Sequence, residues 1–283
     1  MSRERIETAV LRVLRVLGIL FFGFIAIFPF YWMVVLSFRP LESILLEPTR
    51  LTPTWQEISA LEPYRGVIVQ QGFLRFIGNS ALVAIVTTAL TLLFAVLGAY
   101  ATARLRFRGR NLLSSGILLI YMFPAIVLAI PLFVMFSRLG LRNSLPGLII
   151  VYLAQTLPVA LYMLRSYFQT IPYDLEEAGM IDGCTRAQVI WRITLPLAAP
   201  ALASVGLYTF MIAWNEFLFA LLFLLEAPER WTISLGVQRL DSFEVPKTWL
   251  MAGAVMTTAP IILLFFGFER FLTRGLTAGA VKG

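Results

Sequence analysis

Histidine is absent from the 283 residues and cysteine occurs once, at Cys184. Without them the chain cannot assemble a Cys/His zinc site, an intramolecular disulfide, a haem His ligand or a Ser-His-Asp triad. Charge is scarce as well, at 14% of residues, against about 25% in a typical soluble domain. Lysine is nearly missing, since 21 of the 23 basic residues are Arg. What fills the space is apolar: 59% of residues, with a mean hydropathy of +0.83. A soluble globular fold is excluded, and so is a separate water-soluble enzyme domain, because membrane spans of about 20 residues each use most of the length.

Charge-free apolar runs predict six membrane helices: Val16–Phe38, Phe76–Ala103, Leu112–Ser137, Asn143–Leu164, Ile193–Leu225 interrupted only by Glu216, and Thr248–Phe268. Pro29, Pro124, Pro131, Pro158 and Pro260 lie within them. Proline breaks a soluble helix but is tolerated where neighbouring helices satisfy the freed backbone groups, so kinked helices are expected. The first run is too long for a signal-peptide core and lacks a small-residue cleavage site before Arg39-Pro40, so it is expected to be retained. The expected fold class is an all-α integral membrane protein with six transmembrane helices, organised as a single domain over 1–283.

The direction of insertion follows from basic residues in short loops. Arg104, Arg106, Arg108 and Arg110 stand within seven residues with no acid among them. Placing that loop, both termini and residues 165–192 in the cytoplasm gives 14 basic and seven acidic residues there, against nine and eight outside. Both termini are therefore expected in the cytoplasm, the arginines serving as lipid-headgroup and topology anchors rather than as a nucleic-acid site. The outer segments Arg39–Arg75 and Glu226–Lys247 are too short for independent domains; they read either as connectors or as contacts for an extracytoplasmic partner.

The most informative stretch runs from Ile171 to Pro196 and reads as helix, turn, helix. Asp174 with Glu177 three residues on predicts a capped first helix, Gly183 a left-handed stop, and Thr185 with Gln188 a second cap. Small residues Ala178, Gly179 and Gly183 allow close approach of a partner's surface.

The spacing Glu177-Ala178-Gly179, three residues, Gly183, nine residues, Ile193, one residue, Leu195-Pro196 resembles the EAA loop of bacterial ABC-importer permeases. Only Gly179, in place of the usual Ala, departs from it, a change costing about 1 kcal/mol of helix propensity. Asn79-Ser80, Tyr100–Arg104, Trp214–Leu221 and Gly275–Gly283 narrow the resemblance to the smaller permease of maltose- and trehalose-type carbohydrate importers. The resemblance implies the type I importer architecture, with 172–196 as the cytoplasmic coupling loop and 275–283 as a cytoplasmic tail touching the ATPase subunits. It implies Glu177, Ala178, Gly179, Asp182, Gly183, Leu195 and Pro196 as coupling residues, and Gly275, Gly279 and Lys282 as the tail contact. It also implies the partners: a second permease, two ABC ATPase subunits, an extracytoplasmic sugar-binding protein and membrane lipid, with no nucleic acid. The location it implies is the bacterial inner membrane.

No Gly-x-x-x-x-Gly-Lys-[Ser/Thr] phosphate loop occurs. The chain is expected to be no enzyme and to bind no cofactor, with ATP and Mg held by the ATPase subunits. A proton- or sodium-driven transporter would carry several paired acids within its spans, and only Glu216 qualifies. An intramembrane enzyme would need paired catalytic groups at one depth, which the sequence does not supply. Three roles compete for Glu216: a structural hydrogen bond, a position lining the translocation path with Asn215, or a proton relay. Tyr152, Trp214 and Phe217 either stack on sugar or pack between helices, and Asn79 either bonds a neighbouring helix or touches substrate.

Overall fold

The computed structural model describes residues 3–110, 112, 116–117, 119 and 123–280, with backbone alone for 3–6, 8–9 and 272–280. The described residues are helices and connecting turns, without strands, consistent with the all-α expectation. Contacts divide the chain into two compact units, one of residues 1–73 and 237–258, the other of residues 74–236 and 259–283.

In the first unit, α1 (Arg3–Phe38) runs unbroken through Pro29, and most of its apolar side chains are exposed. It stops at Arg39, whose guanidinium is fully buried and donates to the carbonyls of Arg50 at 2.8 Å, Ser43 at 2.9 Å and Glu47 at 2.7 Å. A buried cation persists only when its donors are satisfied, and here they gather α2 (Leu41–Leu46) and the following turn around one side chain. Thr54 and Glu57 form a full capping box at α3 (Trp55–Ala60), and the same Glu57 carboxylate accepts from Ser43 and Arg50. Next come α4 (Glu62–Arg65) and a π turn, Gly66–Gln70, packed under Trp249.

Partial burial would raise the Glu57 pKa, but the hydrogen bonds from Ser43, Thr54 and Arg50 outweigh it and bring the group from an ordinary 4.5 down to about 2. A carboxylate with a depressed folded pKa contributes stability above its unfolded pKa and loses it as the pH falls towards the folded one. The thermal-stability advantage of the native chain over Glu57→Gln is therefore expected to be full at neutral pH and to shrink from about pH 4.5 towards about pH 2. Melting curves of both proteins across that range check it.

In the second unit, α5 (Phe73–Arg104, its first residue in the other unit) begins before Asn79-Ser80, with those two residues two turns inside. Then follow α6 (Ala125–Arg138) and α7 (Leu145–Phe168), the latter capped by Ser144 and continuous through Pro158. Pro124 lies not within a helix but at the N-cap of α6, where its missing N–H costs nothing. Most of the first half of the expected third span falls outside the described residues. The α5 and α7 faces meet in a core of Ala95, Val96, Ala99, Ala160, Leu164 and Phe168.

The expected fifth span is broken twice. After α7 the chain forms a hairpin of α8 (Tyr173–Ile181) and α9 (Arg186–Val189), continued by a π turn at Ile190–Thr194 and a short turn at Leu195–Leu197. It then bends by 80° into α10 (Ala199–Asn215). Pro196 has no N–H and its ring crowds the carbonyl four residues back, which accounts for the widened turn before it. A second break at Glu216 precedes α11 (Leu218–Leu224). After α12 (Ile233–Leu240) the last helix, α13 (Lys247–Ala280), carries Pro260 within it. Among the described residues four helices are long and apolar enough to cross a membrane, and a fifth if the bent pair counts as one span.

Candidate functional site

The hairpin between α7 and α10 presents two faces. Glu177, Ala178, Asp182 and Gly183 are exposed, and beside them Ile181 is 85% and Trp191 68% exposed. Glu176 and Gly179, three residues apart on α8, face inward. A Cβ on Gly179 would lie 2.4 Å from Ile193 Cδ1, so this glycine lets the two arms of the hairpin close on each other. Of the implied coupling residues, Leu195 is half-buried and Pro196 exposed at the bend.

The end of α8 is a Schellman motif. Cys184 N donates to Gly179 O at 3.0 Å and Gly183 N to Met180 O at 3.1 Å, with Gly183 at φ +87°. The Thr185–Gln188 capping box forms as expected. The Asp174 cap does not: Pro172 holds the N-cap position, and Asp174 lies inside the first turn, where its charge favours the helix dipole.

Sequence reasoning missed the residue that fixes the hairpin. Glu176 is fully buried; its Oε1 accepts from Arg104 Nε at 2.9 Å and Thr194 Oγ1 at 3.2 Å, and its Oε2 from Tyr100 Oη at 2.9 Å. Arg104 also donates to the Ile171 carbonyl at 2.8 Å. The signal available was the helical spacing of Glu176 and Gly179, which places an acid on the face that must pack.

The translocation-path candidates form a second group. Glu216 lies outside the helices, with extended backbone, and its carboxyl group caps α11 by accepting from Phe219 N at 2.9 Å and Ala220 N at 3.1 Å. Tyr152 Oη donates to it at 2.6 Å. Ser234 Oγ donates to the Glu216 carbonyl at 2.7 Å, and Ile233 N donates to Ser80 Oγ at 2.7 Å. Asn79 Nδ2 reaches the carbonyls of Glu229 at 3.1 Å and Trp231 at 2.9 Å. Asn79, Tyr152 and Glu216 are thus joined through the segment 229–234, and the structural hydrogen bond is the role of Glu216 that this geometry supports. Asn215 stands apart, its amide on the Met211 carbonyl at 2.9 Å. Trp214 is buried, stacks on Phe210 with ring centroids 5.5 Å apart, and borders an apolar cleft of about 880 Å³ with Ile85, Leu92 and Leu263. Such a cleft lacks the convergent polar groups that orient a sugar.

A family model described as "binding-protein-dependent transport system inner membrane component" matches residues 92–278. The chain belongs to this family. The matched residues take in the hairpin and, of the Glu216 network, all but Asn79 and Ser80. This permease is 41% identical over 270 residues to the inner membrane ABC transporter permease protein YcjP of Escherichia coli (strain K12), covering 94% of this chain and 95% of that one. It is 38% identical over 282 residues to the trehalose/maltose transport system permease protein MalG of Thermococcus litoralis, covering 98% and 99%. Among solved structures it resembles a chain of a bacterial ABC transporter involved in the import of the acidic polysaccharide alginate, at a TM-score of 0.79 and 26% identity over 96% of this chain and 99% of that one. The chain is accordingly a membrane permease component of an ABC importer and not itself an enzyme, ATP hydrolysis being the work of separate ATPase subunits.

Of the tail residues, Gly275 and Gly279 lie in the backbone of α13, and Lys282 lies outside the described residues.

Proposed function

We propose that this permease forms one half of the translocation pathway of a sugar importer and docks an ATPase subunit through the exposed face of the 172–196 hairpin. The observation that carries the reading is the division of α8 into a face turned to its own chain and a face of Glu177, Ala178, Asp182 and Ile181 left open. A large apolar side chain that is almost wholly exposed, bordered by small residues and acids, is the anchor-and-rim pattern of a docking surface. The relatives' names support sugar as the cargo: trehalose or maltose in one, diacetylchitobiose in another. The partners in this reading are a second permease, two ATPase subunits that hold ATP and Mg, an extracytoplasmic binding protein that delivers the sugar, and lipid around the exposed face of α1. The whole chain acts as one permease domain with six spans, both termini and the hairpin are cytoplasmic, and 275–283 is an accessory ATPase contact.

Gly183→Trp tests the docking surface. Among the described residues a Cβ there meets nothing within 4 Å, so the substitution acts through the φ of +87° and through whatever lies against the hairpin. Membrane insertion is expected to be retained, and copurification with the ATPase subunits and ATP-driven uptake to fall sharply. Unimpaired uptake by this variant in a complete complex contradicts the assignment. For orientation, a cysteine placed at position 108 is expected to resist impermeant thiol reagents added outside intact cells; labelling there reverses the topology.

A further inference from the structure

A hairpin that receives motion from a partner must hand it to the membrane helices. Its covalent route leads only into α7 on one side and through the 80° bend into α10 on the other. The π turn at Ile190–Thr194 and the bend are compliant places in that route. The Glu176 carboxylate supplies a shorter one. It stands in the hairpin's first arm, accepts from Thr194 in the second arm, and accepts from both Tyr100 and Arg104 in the last turn and a half of α5, far away in sequence. Arg104 completes the bracket by donating to the carbonyl of Ile171, where α7 gives way to the hairpin, and its guanidinium carbon lies 5.8 Å from the centre of the Tyr173 ring.

The side chains of Glu176 and Arg104 are 1% and 8% exposed. A charge pair so far from water, with three donors on one carboxylate, has few alternative arrangements, because any departure leaves a buried charge without its partner. It therefore holds both arms of the hairpin and the end of α5 in one geometry. Glu177, one residue on, is turned by about 100° to the open face. The two adjacent acids divide the work: one faces the partner, and the other faces the chain.

We propose that Glu176 is a positioning residue that couples the hairpin to α5, so that displacement of the docking face moves the end of α5 as part of the same rigid group. The proposal rests on the hairpin being the ATPase contact. Glu176 touches neither cargo nor nucleotide; it acts through Arg104 and Tyr100. Replacing it should loosen α5 from the hairpin while the exposed face of α8 stays as it is.

The experiment compares Glu176→Gln, Arg104→Gln and the double variant in proteoliposomes holding the complete transporter, reading sugar carried per ATP hydrolysed. Spin labels on the exposed positions 97 and 175, on α5 and on α8 but outside the docking face, report the distance between α5 and the hairpin, with and without a trapped nucleotide. Coupling between sites commonly amounts to about 5–150-fold, and a drop of about tenfold in sugar per ATP is expected for each single variant. The double variant should be no worse than either, because both remove the same link. In the native protein the label distance is expected to stay narrow and unchanged by nucleotide; in Glu176→Gln it should broaden. Loss of folded protein alone would lower the yield without altering either ratio or distance. If Glu176→Gln does not assemble, Tyr100→Phe and Thr194→Val, each removing one hydroxyl, decide by the same two readouts. Sugar per ATP equal to native with an unchanged narrow distance, alongside impaired Gly183→Trp, overturns the proposal and spares the docking reading. Unimpaired Gly183→Trp overturns both.

Discussion

Glu216→Leu is expected to destabilise the protein by about 2–4 kcal/mol, the sum of a lost helix cap and a buried tyrosine hydroxyl left without an acceptor. The carboxyl group caps α11 and receives the Tyr152 hydroxyl at the same time, and Leu offers no acceptor to either. Glu216→Gln retains a carbonyl oxygen of the same reach, so its cost should be about 1 kcal/mol. Tyr152→Phe in the Glu216→Leu background should add little, since the hydroxyl has already lost its partner. Thermal unfolding of the four proteins in one detergent gives the comparison. Equal stability of Glu216→Leu and the native chain would remove the carboxyl group from the framework and return it to the translocation path.

Gly66→Ala is expected to cost at least as much as a typical overpacking change, about 1–3 kcal/mol or more. A Cβ at this position would lie 2.2 Å from two carbons of the Trp249 ring, closer than any real contact. The ring has little room to retreat, being 8% exposed, with its Nε1 directed at Glu62 Oε1 at 3.4 Å. Trp249→Ala alone should also destabilise by leaving a cavity. The double variant should be more stable than the sum of the two predicts, because each change relieves the other. Additive melting-temperature losses would show that the close approach is not what requires glycine.

The long helices were legible because an apolar run of sufficient length has few alternatives in a membrane. α1, α5 and α13 each contain the run expected for them and extend beyond it at one end or both, while α7 starts two residues inside its run and ends four beyond it. The turn chemistry was legible wherever it used ordinary signals: Gly183 with φ +87° and the Thr185–Gln188 box. The break at Glu216 was not. Caps are normally short side chains, Ser, Thr, Asp or Asn, at the N-cap itself. Here a longer Glu reaches the same N–H groups from one residue further out, so an acid inside an apolar run read as a charge within a helix. The Asp174 cap failed for a related reason. Pro172 already supplies the extended residue from which α8 starts, and no cap is left for Asp174 to fill.

The site was half legible. Spacing picked out the exposed residues of the hairpin, because Glu177, Ala178, Asp182 and Gly183 belong to one short motif. For Glu176 the spacing with Gly179 offered only an inward face, because its partners Tyr100 and Arg104 are more than seventy residues away in the chain and become neighbours only through helix packing. Asn79, Tyr152 and Glu216 were each noticed singly, while the segment 229–234 that joins them was read as part of a connector or a partner contact. Side chains that answer to distant backbone groups leave no local pattern in sequence.

The measurement that bears most directly on the central claim is uptake of labelled sugar into proteoliposomes containing this permease with its second permease and ATPase subunits. Energy source and binding protein are varied independently. Uptake is expected to require ATP on the hairpin side and loaded binding protein on the other, to persist when proton and sodium gradients are collapsed, and to disappear with Gly183→Trp. Uptake that continues without ATP or the ATPase subunits and stops when an ion gradient is abolished would contradict the account.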